Sequence, residues 1–375
     1  QRTQRYFAQV ADDIKEIAEE EIQSMGGAET RPVYRGIHFT ATPKALYSIN
    51  LCSRLLNRVL APLVSFHCHT DAVLYKRATQ VHWEDFLNCS DTFAIFANVV
   101  NSSIRHSKFA ALRLKDAIVD RFRARTGQRP AIDTGNPDVW INLHIDNDEA
   151  TISLDTSGGS LHRRGYRKKS VDAPMTETLA AAIIEYSGWN GGSPLYDPFC
   201  GSGTILCEAY LKASHTPAAM LRQKFGFERL PDFDAALWVQ TKASCAQSIS
   251  PVAKDLISGS DISLKALRSA KHNCSLLDKE NALTLRQRNV FEIKELQERT
   301  IICNPPYGIR TGKNGDLQHF YKNFGDFLKQ RCKGSTAFIY FGDRKFIKSI
   351  GLRTSWKRPL ANGGLDGRLV KFDLY

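Results

Sequence analysis

The chain contains no apolar run approaching the roughly 20 residues that a membrane-spanning helix requires, which excludes a helical membrane protein. It contains no C-x-x-C pair. Its nine cysteines, at 52, 68, 89, 200, 207, 245, 274, 303 and 332, are odd in number and scattered. That excludes a disulfide scaffold and points to reduced thiols in a cytoplasm. The opening stretch, Gln1 to Val10, has no apolar core and so is not read as a secretory leader. Internal repeats and low-complexity tracts are absent, and the composition is that of a folded protein, which excludes wholesale disorder. Acidic residues are in short supply: 39 against 51 Lys and Arg, a net charge of +12.

What is present is 375 residues, 42% hydrophobic and 24% charged, enough for two or three folded domains. The basic excess is uneven. Residues 1–103 hold 10 basic and 11 acidic side chains, whereas residues 104–170 hold 13 and 8. A polyanionic partner is the sharp reading, and a solvated basic surface is the bland one. His67-Cys68-His69 would put both imidazoles on one face of a strand. No further ligand cluster accompanies them, so no metal is assigned.

Residues 5–10 read as a strand and 11–25 as a helix stopped by Gly26-Gly27. A strand over 33–40 and a helix over 42–56, opening at Thr42-Pro43, complete a small α+β layer. Strand-like stretches follow at 59–66, 73–78 and 93–100. A helix is expected over 104–125, with Phe109, Leu112, Ala117, Ile118 and Phe122 inward. Its outer side carries Arg105, Lys108, Arg113, Lys115, Arg121, Arg123 and Arg125, the first candidate phosphate contacts. Segments 140–145 and 150–155 look like a hairpin turning at Asp146-Asn147-Asp148. A connector over 156–172 carries the second basic run, Arg163, Arg164, Arg167, Lys168 and Lys169.

From Pro174 onward helix and strand alternate, the pattern of a doubly wound sheet. Pro174 suits a helix first turn, with Glu177 near its positive end and Leu179, Ile183 and Tyr186 as the apolar stripe. Buried-type strands are expected at 195–199, 256–260, 300–303, 336–341 and 369–374. Segment 213–251, with Phe225, Phe227, Phe233 and Trp238, reads as an ordered insertion.

Three short segments carry chemistry. In the first, Asp197-Pro198-Phe199-Cys200-Gly201-Ser202-Gly203-Thr204, a strand ends at a carboxylate before a glycine-rich turn. Open α/β sheets bind ligands at that edge. A P-loop needs a Lys that is missing here, and a dinucleotide fingerprint needs a glycine where Leu206 stands. Asp197 would repel a pyrophosphate but attract an ammonium, which fits S-adenosylmethionine. The second segment places Asp261 and Ile262 at a later strand end, where a carboxylate can hold ribose hydroxyls. A helix N-cap is the plainer reading of Asp261. Asn289-Val290 follows, with Asn289 placed to accept from an adenine amino group; an ordinary turn Asn is the alternative. The third is Asn304-Pro305-Pro306-Tyr307-Gly308 after a buried strand. Its prolines forbid further pairing and stiffen the loop. The Asn304 oxygen and Pro305 carbonyl can accept both hydrogens of a planar NH2, and Tyr307 offers a stacking face for a flipped base.

At these residues the chain resembles class-I S-adenosylmethionine-dependent methyltransferases that modify exocyclic amino groups, through 197–204 and 304–307. Leu161 to Arg167 and Ala173 to Ala180 resemble the connector and first helix of THUMP-domain RNA methyltransferases. More closely, the chain is similar to the bacterial 23S ribosomal RNA guanine-N2 methyltransferase family. That resemblance implies an α/β Rossmann-like, seven-stranded methyltransferase domain at 173–375, its last strand antiparallel. Before it would lie an α+β ferredoxin-like region at 1–52, a THUMP module at 53–155 and a basic linker at 156–172. It implies S-adenosylmethionine as cofactor, held by 197, 199–204, 261, 262, 289, 290 and 304, and catalysis by 304–307. The implied partner is RNA, 23S rRNA or a ribosome precursor, with no membrane and no metal. The end at Tyr375 predicts that the second methyltransferase domain fused in some relatives is absent. Transfer RNA guanine, adenine N6, a glutamine amide, or a non-catalytic RNA-binding assembly role are the alternatives.

Overall fold

The computed structural model describes residues 3–170, 175–307 and 314–375. Pro174 and Gly308 lie outside them. The chain divides into two compact units. One takes residues up to 10, 19–161 and 222–243; the other takes 11–18, 162–221 and 244 onward.

The first unit is built on one eight-stranded sheet. Its strands are β1 (Gln4–Gln9), β2 (Ala28–Val33), β3 (Gly36–Ala41), β4 (Arg58–His67), β5 (Thr92–Val100), β6 (Ala131–Ile132), β7 (Val139–Asp146) and β8 (Glu149–Asp155). Their order is β2-β3-β1-β4-β8-β7-β5-β6. Strand β4 pairs with β1 through Arg58 and Leu60, then with β8 from Leu60 to His67. One strand therefore completes both halves of the sheet. The β7–β8 hairpin turns at Asn147 and Asp148, both with positive φ, the conformation a two-residue hairpin demands.

The first four helices are α1 (Lys15–Ser24), α2 (Pro43–Cys52), α3 (Asp71–Gln80) and α4 (Ser107–Thr126). Three sequence expectations need correction here. Residues 73–78 belong to α3 and are not a strand. The Thr70 hydroxyl caps the helix by accepting from Val73 N, and Leu74 and Ala78 are buried at i, i+4 spacing. The strand expected over 33–40 is broken by a turn at Tyr34-Arg35, with Arg35 at φ +54°, which creates the β2–β3 hairpin. On α4 the buried stripe is Ala110, Leu114, Ala117, Ile118 and Phe122, whereas Phe109 and Leu112 are exposed.

The insertion anticipated at 213–251 is ordered, and residues 222–243 of it group with the first unit. Phe227 stacks on Tyr47 with ring centroids 4.6 Å apart, and Phe233 and Trp238 meet Tyr47 edge-on. Arg222 donates to the carbonyls of Ser157, Gly158, Gly159 and Ser160. Gly226 lies so close to β8 that a Cβ there would sit 1.8 Å from the Asp155 carbonyl oxygen.

The second unit holds a seven-stranded sheet of β9 (Leu195–Asp197), β10 (Ile257–Asp261), β11 (Thr284–Gln287), β12 (Thr300–Cys303), β13 (Thr336–Phe341), β14 (Trp356–Pro359) and β15 (Arg368–Asp373). The order is β11-β10-β9-β12-β13-β15-β14. Strands β9 to β13 are mutually parallel, and the last strand, β15, runs antiparallel between β13 and β14. Strands β11 and β14 escaped the sequence reading because they are short, half-exposed edges without an apolar run. The remaining helices are α5 (Glu177–Ser187), α6 (Thr204–Ala213), α7 (Ala235–Gln247), α8 (Leu264–Cys274) and α9 (Asn314–Arg331).

Candidate active site

The site is assembled at the carboxyl edge of the parallel strands. In register, Asp197 of β9 faces Gly259 of β10, and Asp261 faces Gln287 of β11. Tyr196 faces Ile301 of β12, so Asn304 lies two residues beyond the position opposite Asp197. From strand spacing and rise, the two Cα atoms are roughly 8 Å apart.

The glycine turn between β9 and α6 needs its glycines. Gly201 and Gly203 have φ of +55° and +84°. A Cβ on Gly203 would press within 3.2 Å of Ala270 Cβ and Cys274 Sγ on α8. The turn is laced to the end of β10: Cys200 N donates to the Ser260 carbonyl at 2.9 Å, and Gly201 N to Asp261 Oδ2 at 2.9 Å. Asp261 Oδ1 accepts from Ser263 N at 2.8 Å. Asp261 thus shapes the turn, and each of its oxygens keeps a second lone pair for a ligand hydroxyl.

Asp197 is 1% exposed, and its Oδ1 accepts from Phe199 N at 3.0 Å. Burial pushes its pKa up to about 8; the Phe199 hydrogen bond opposes this and the Asp261 charge adds to it. Among the described residues it has no ion-pair partner. A buried carboxylate of this kind gains most from a cationic ligand.

Asn304 presents the complementary feature. Its Oδ1 is buried and has no hydrogen-bond partner among the described residues. Buried polar atoms are nearly always bonded in folded proteins, so this acceptor awaits a donor. The loop that carries it is fixed from two sides. Tyr321 of α9 donates to the Pro306 carbonyl at 3.1 Å. The Tyr307 ring lies against the backbone of Gly342, where a Cβ would come 2.6 Å from Tyr307 Cδ2. Sequence reasoning missed Tyr321 and Gly342. A glycine directly after β13 was the available signal for Gly342. Phe320 of α9 packs against Phe199 and Phe291 at 5.7 and 5.8 Å, so one helix buttresses the glycine turn and the turn after β11.

Asn289 is occupied locally: its Oδ1 accepts from Phe291 N at 3.1 Å and caps the turn Val290–Glu292. Val290 is buried, whereas Ile262 is 65% exposed at the open edge. These donors, acceptors and charges fit S-adenosylmethionine: Asp197 for its ammonium, Asp261 for ribose hydroxyls, and Ile262 for an apolar ring face.

Several basic residues read as RNA contacts are paired within the chain. Arg164 is buried and pairs with Glu208 of α6 at 3.3 Å, where Tyr166 also donates at 2.9 Å. Arg167 turns inward to Glu177 at 3.2 Å, and donates to Thr204 Oγ1 at 3.2 Å and the Met175 carbonyl at 2.5 Å. Burial raises Glu177 to about 7, with Arg167 opposing. The Asn273 side chain of α8 accepts from Lys168 N and Lys169 N and donates to the Lys169 and Ser202 carbonyls. The connector is therefore stitched to the glycine turn, leaving Arg163, Lys168 and Lys169 with exposed side chains. On α4, Arg121 forks onto Glu84 at 2.7 and 2.9 Å and donates to the Thr79 carbonyl, so it is a strut. Arg113 pairs with Asp71 at 3.2 Å and lies over the Tyr75 ring. Lys115, Arg123 and Arg125 pair with Asp116, Asp120 and Glu84. Arg105 and Lys108 are exposed with no ion pair among the described residues.

The His67 and His69 rings are 5.6 Å apart, but Cys68 is buried and its thiol donates to the Thr70 carbonyl. Among the described residues no group of three His, Cys, Asp or Glu side chains could hold a metal, and no helix is long and apolar enough to cross a membrane.

Family profiles match along most of the chain. The RlmL ferredoxin-like domain matches residues 5–60, the THUMP domain 68–155, and the RMKL-like methyltransferase domain 164–371. A candidate RNA methyltransferase of Synechocystis is 38% identical over 374 residues, covering 100% of this chain and 97% of its own. The ribosomal RNA large subunit methyltransferase K/L of Syntrophotalea carbinolica is 36% identical over 381 residues, 99% of this chain and 53% of its own. The chain thus spans about half the length of that relative. SMU.472, a candidate methyltransferase in complex with SAH, superposes with a TM-score of 0.86 at 26% identity, covering 100% of this chain and 99% of that one.

Proposed function

The chain belongs to the RMKL-like methyltransferase family with a THUMP domain, and from that membership we propose that it methylates the exocyclic N2 of a guanine in large-subunit ribosomal RNA. It is a methyltransferase whose cofactor is S-adenosylmethionine. When bound, the cofactor supplies an electrophilic methyl group on sulfur. The observation that carries the reading is the buried Oδ1 of Asn304, unpartnered among the described residues, at the strand edge shared with Asp197.

In this reading Asn304 Oδ1 and the Pro305 carbonyl accept the two N–H groups of the guanine amine. That fixes the nitrogen and localises its lone pair, while Pro306 stiffens the loop and Tyr307 stacks on the extruded base. No strong base is required, because a nitrogen that has been alkylated is acidic enough to release its proton to water. Asp197 holds the cofactor ammonium, Asp261 and the 199–204 turn hold its ribose and backbone, and Ile262, Asn289 and Val290 border its ring. Of the candidate basic residues, Arg105, Lys108, Arg163, Lys168 and Lys169, exposed and without an ion pair among the described residues, neutralise phosphates in this reading. The proposed layout is a ferredoxin-like region at 1–52, THUMP at 53–155, a connector at 156–172 and the catalytic domain at 173–375, acting in the cytoplasm on free rRNA or a ribosome precursor.

The test is Asn304→Ala, assayed with labelled cofactor on unmodified ribosomal RNA. Methyl transfer is expected to fall about a hundredfold or more while cofactor affinity stays near wild type. Undiminished turnover removes Asn304 from catalysis. Nucleoside mass spectrometry of the product separates N2-methylguanosine from N6-methyladenosine, and transfer confined to tRNA would move the substrate assignment.

A further inference from the structure

We propose that an open cleft on the outer side of α9 is a subsite for a backbone phosphate of the RNA, beside the base being methylated. This rests on the methyltransferase reading above and extends it. The cleft has a volume of about 330 Å3 and is lined by Gln318, His319, Lys322 and Ser349. The first three lie within little more than one turn of α9, and Ser349 comes from the short helix Arg344–Ile350.

The placement is what makes the cleft informative. On the same turn of α9, Tyr321 points inward and bonds the Pro306 carbonyl, and Phe320 packs on Phe199. The cleft and the Asn304 loop therefore lie on two sides of a single helix, about 10 Å across. A strand whose extruded base sits against Tyr307 has a neighbouring phosphate, about one or two nucleotides away, within reach of that distance.

The lining also selects for an anion. Among the described residues, none of the side chains lining the cleft is acidic. Lys322 brings a charge with no ion pair among the described residues, whereas the nearby Arg344 and Lys345 pair with Asp366 and Asp343. The Gln318 amide, the Ser349 hydroxyl and a ring N–H of His319 can each donate to a phosphate oxygen. Exposed Lys348, next in sequence to Ser349, adds a second positive charge to the same short helix.

The experiment is a salt series of RNA binding by the full chain, read by fluorescence anisotropy with a large-subunit rRNA transcript and S-adenosylhomocysteine present. Lys322→Gln combined with His319→Gln is expected to weaken RNA binding about threefold to tenfold. It should lower the slope of log affinity against log salt by about one. Cofactor affinity and Tm should stay at wild-type values, and Lys322→Arg should restore RNA affinity. Wild-type RNA affinity and slope in the double variant would overturn the proposal. So would a variant that loses only the stabilisation given by inorganic phosphate, since that marks a free-anion site. Methyl transfer by the wild-type chain is measured in parallel. Its absence on every RNA would refute the function above, while the binding arm still reads the cleft.

Discussion

At the scale of single residues, Asp197 is the most distinctive group, because burial holds its carboxyl near pKa 8 with no cation beside it among the described residues. Binding an ammonium favours the charged form, so cofactor binding near pH 7 should release a proton. Calorimetry in buffers of different ionisation enthalpy checks this. Affinity should rise between pH 6 and 8, and Asp197→Asn should abolish the proton release. Gly342 poses a steric question. A methyl group there would drive into the Tyr307 ring. Gly342→Ala should therefore raise the KM for RNA or lower kcat by about tenfold, with cofactor affinity little changed, since in the proposed function the displaced ring stacks on the base. Steady-state kinetics with each substrate varied separates the two. The place of Asp197 at a strand end was visible in the sequence, whereas the contact of Gly342 with Tyr307, 35 positions away, was not.

At the scale of elements, the connector is a brace. Arg167 ties it to α5 through Glu177 and to the first residue of α6 through Thr204. Arg167→Gln strands a buried carboxylate and loosens the glycine turn, a loss of about 2–3 kcal/mol that should appear as a lower Tm and weaker cofactor binding. Glu177→Gln should cost less, because the carboxylate it removes is already disfavoured by burial. The pH dependence has a definite sign. Glu177 and Asp197 have folded pKa values raised above those of the unfolded chain, so the native state keeps protons that the unfolded state has lost. Their contribution to stability is complete below the ordinary carboxylate range near 4 and is lost as pH rises through about 7 and 8. Thermal melts of the cofactor-free protein should accordingly show a decline from pH 5 to 8 that Glu177→Gln makes shallower. A rising Tm across that window would contradict the assignment.

At the scale of the whole molecule, the compact units do not follow the order of the chain. Residues 222–243 leave the catalytic stretch of sequence and close the first unit with an aromatic cluster around Tyr47. Gly226→Val should place atoms where the Asp155 carbonyl already lies, costing about 3 kcal/mol or more and exposing the first unit to limited proteolysis. A fragment ending at 161 should show the same defect, since it lacks Arg222, Phe227 and Trp238. Intact protease resistance of that fragment would show that the insertion is dispensable.

The sequence by itself determined the class of fold and the family, and it supplied the segments from which the proposed site is built. A carboxylate at a strand end, glycines in a turn and an Asn-Pro-Pro-Tyr loop are local features, whose backbone demands can be read from neighbouring residues. Only the tertiary structure decided which basic residues face solvent, that 73–78 is helix, and that 222–243 belongs to the first unit. Arg164 and Glu208, or Arg121 and Glu84, are 44 and 37 positions apart. An arginine's availability to RNA depends on such distant partners, and burial is a property of packing that no local pattern encodes.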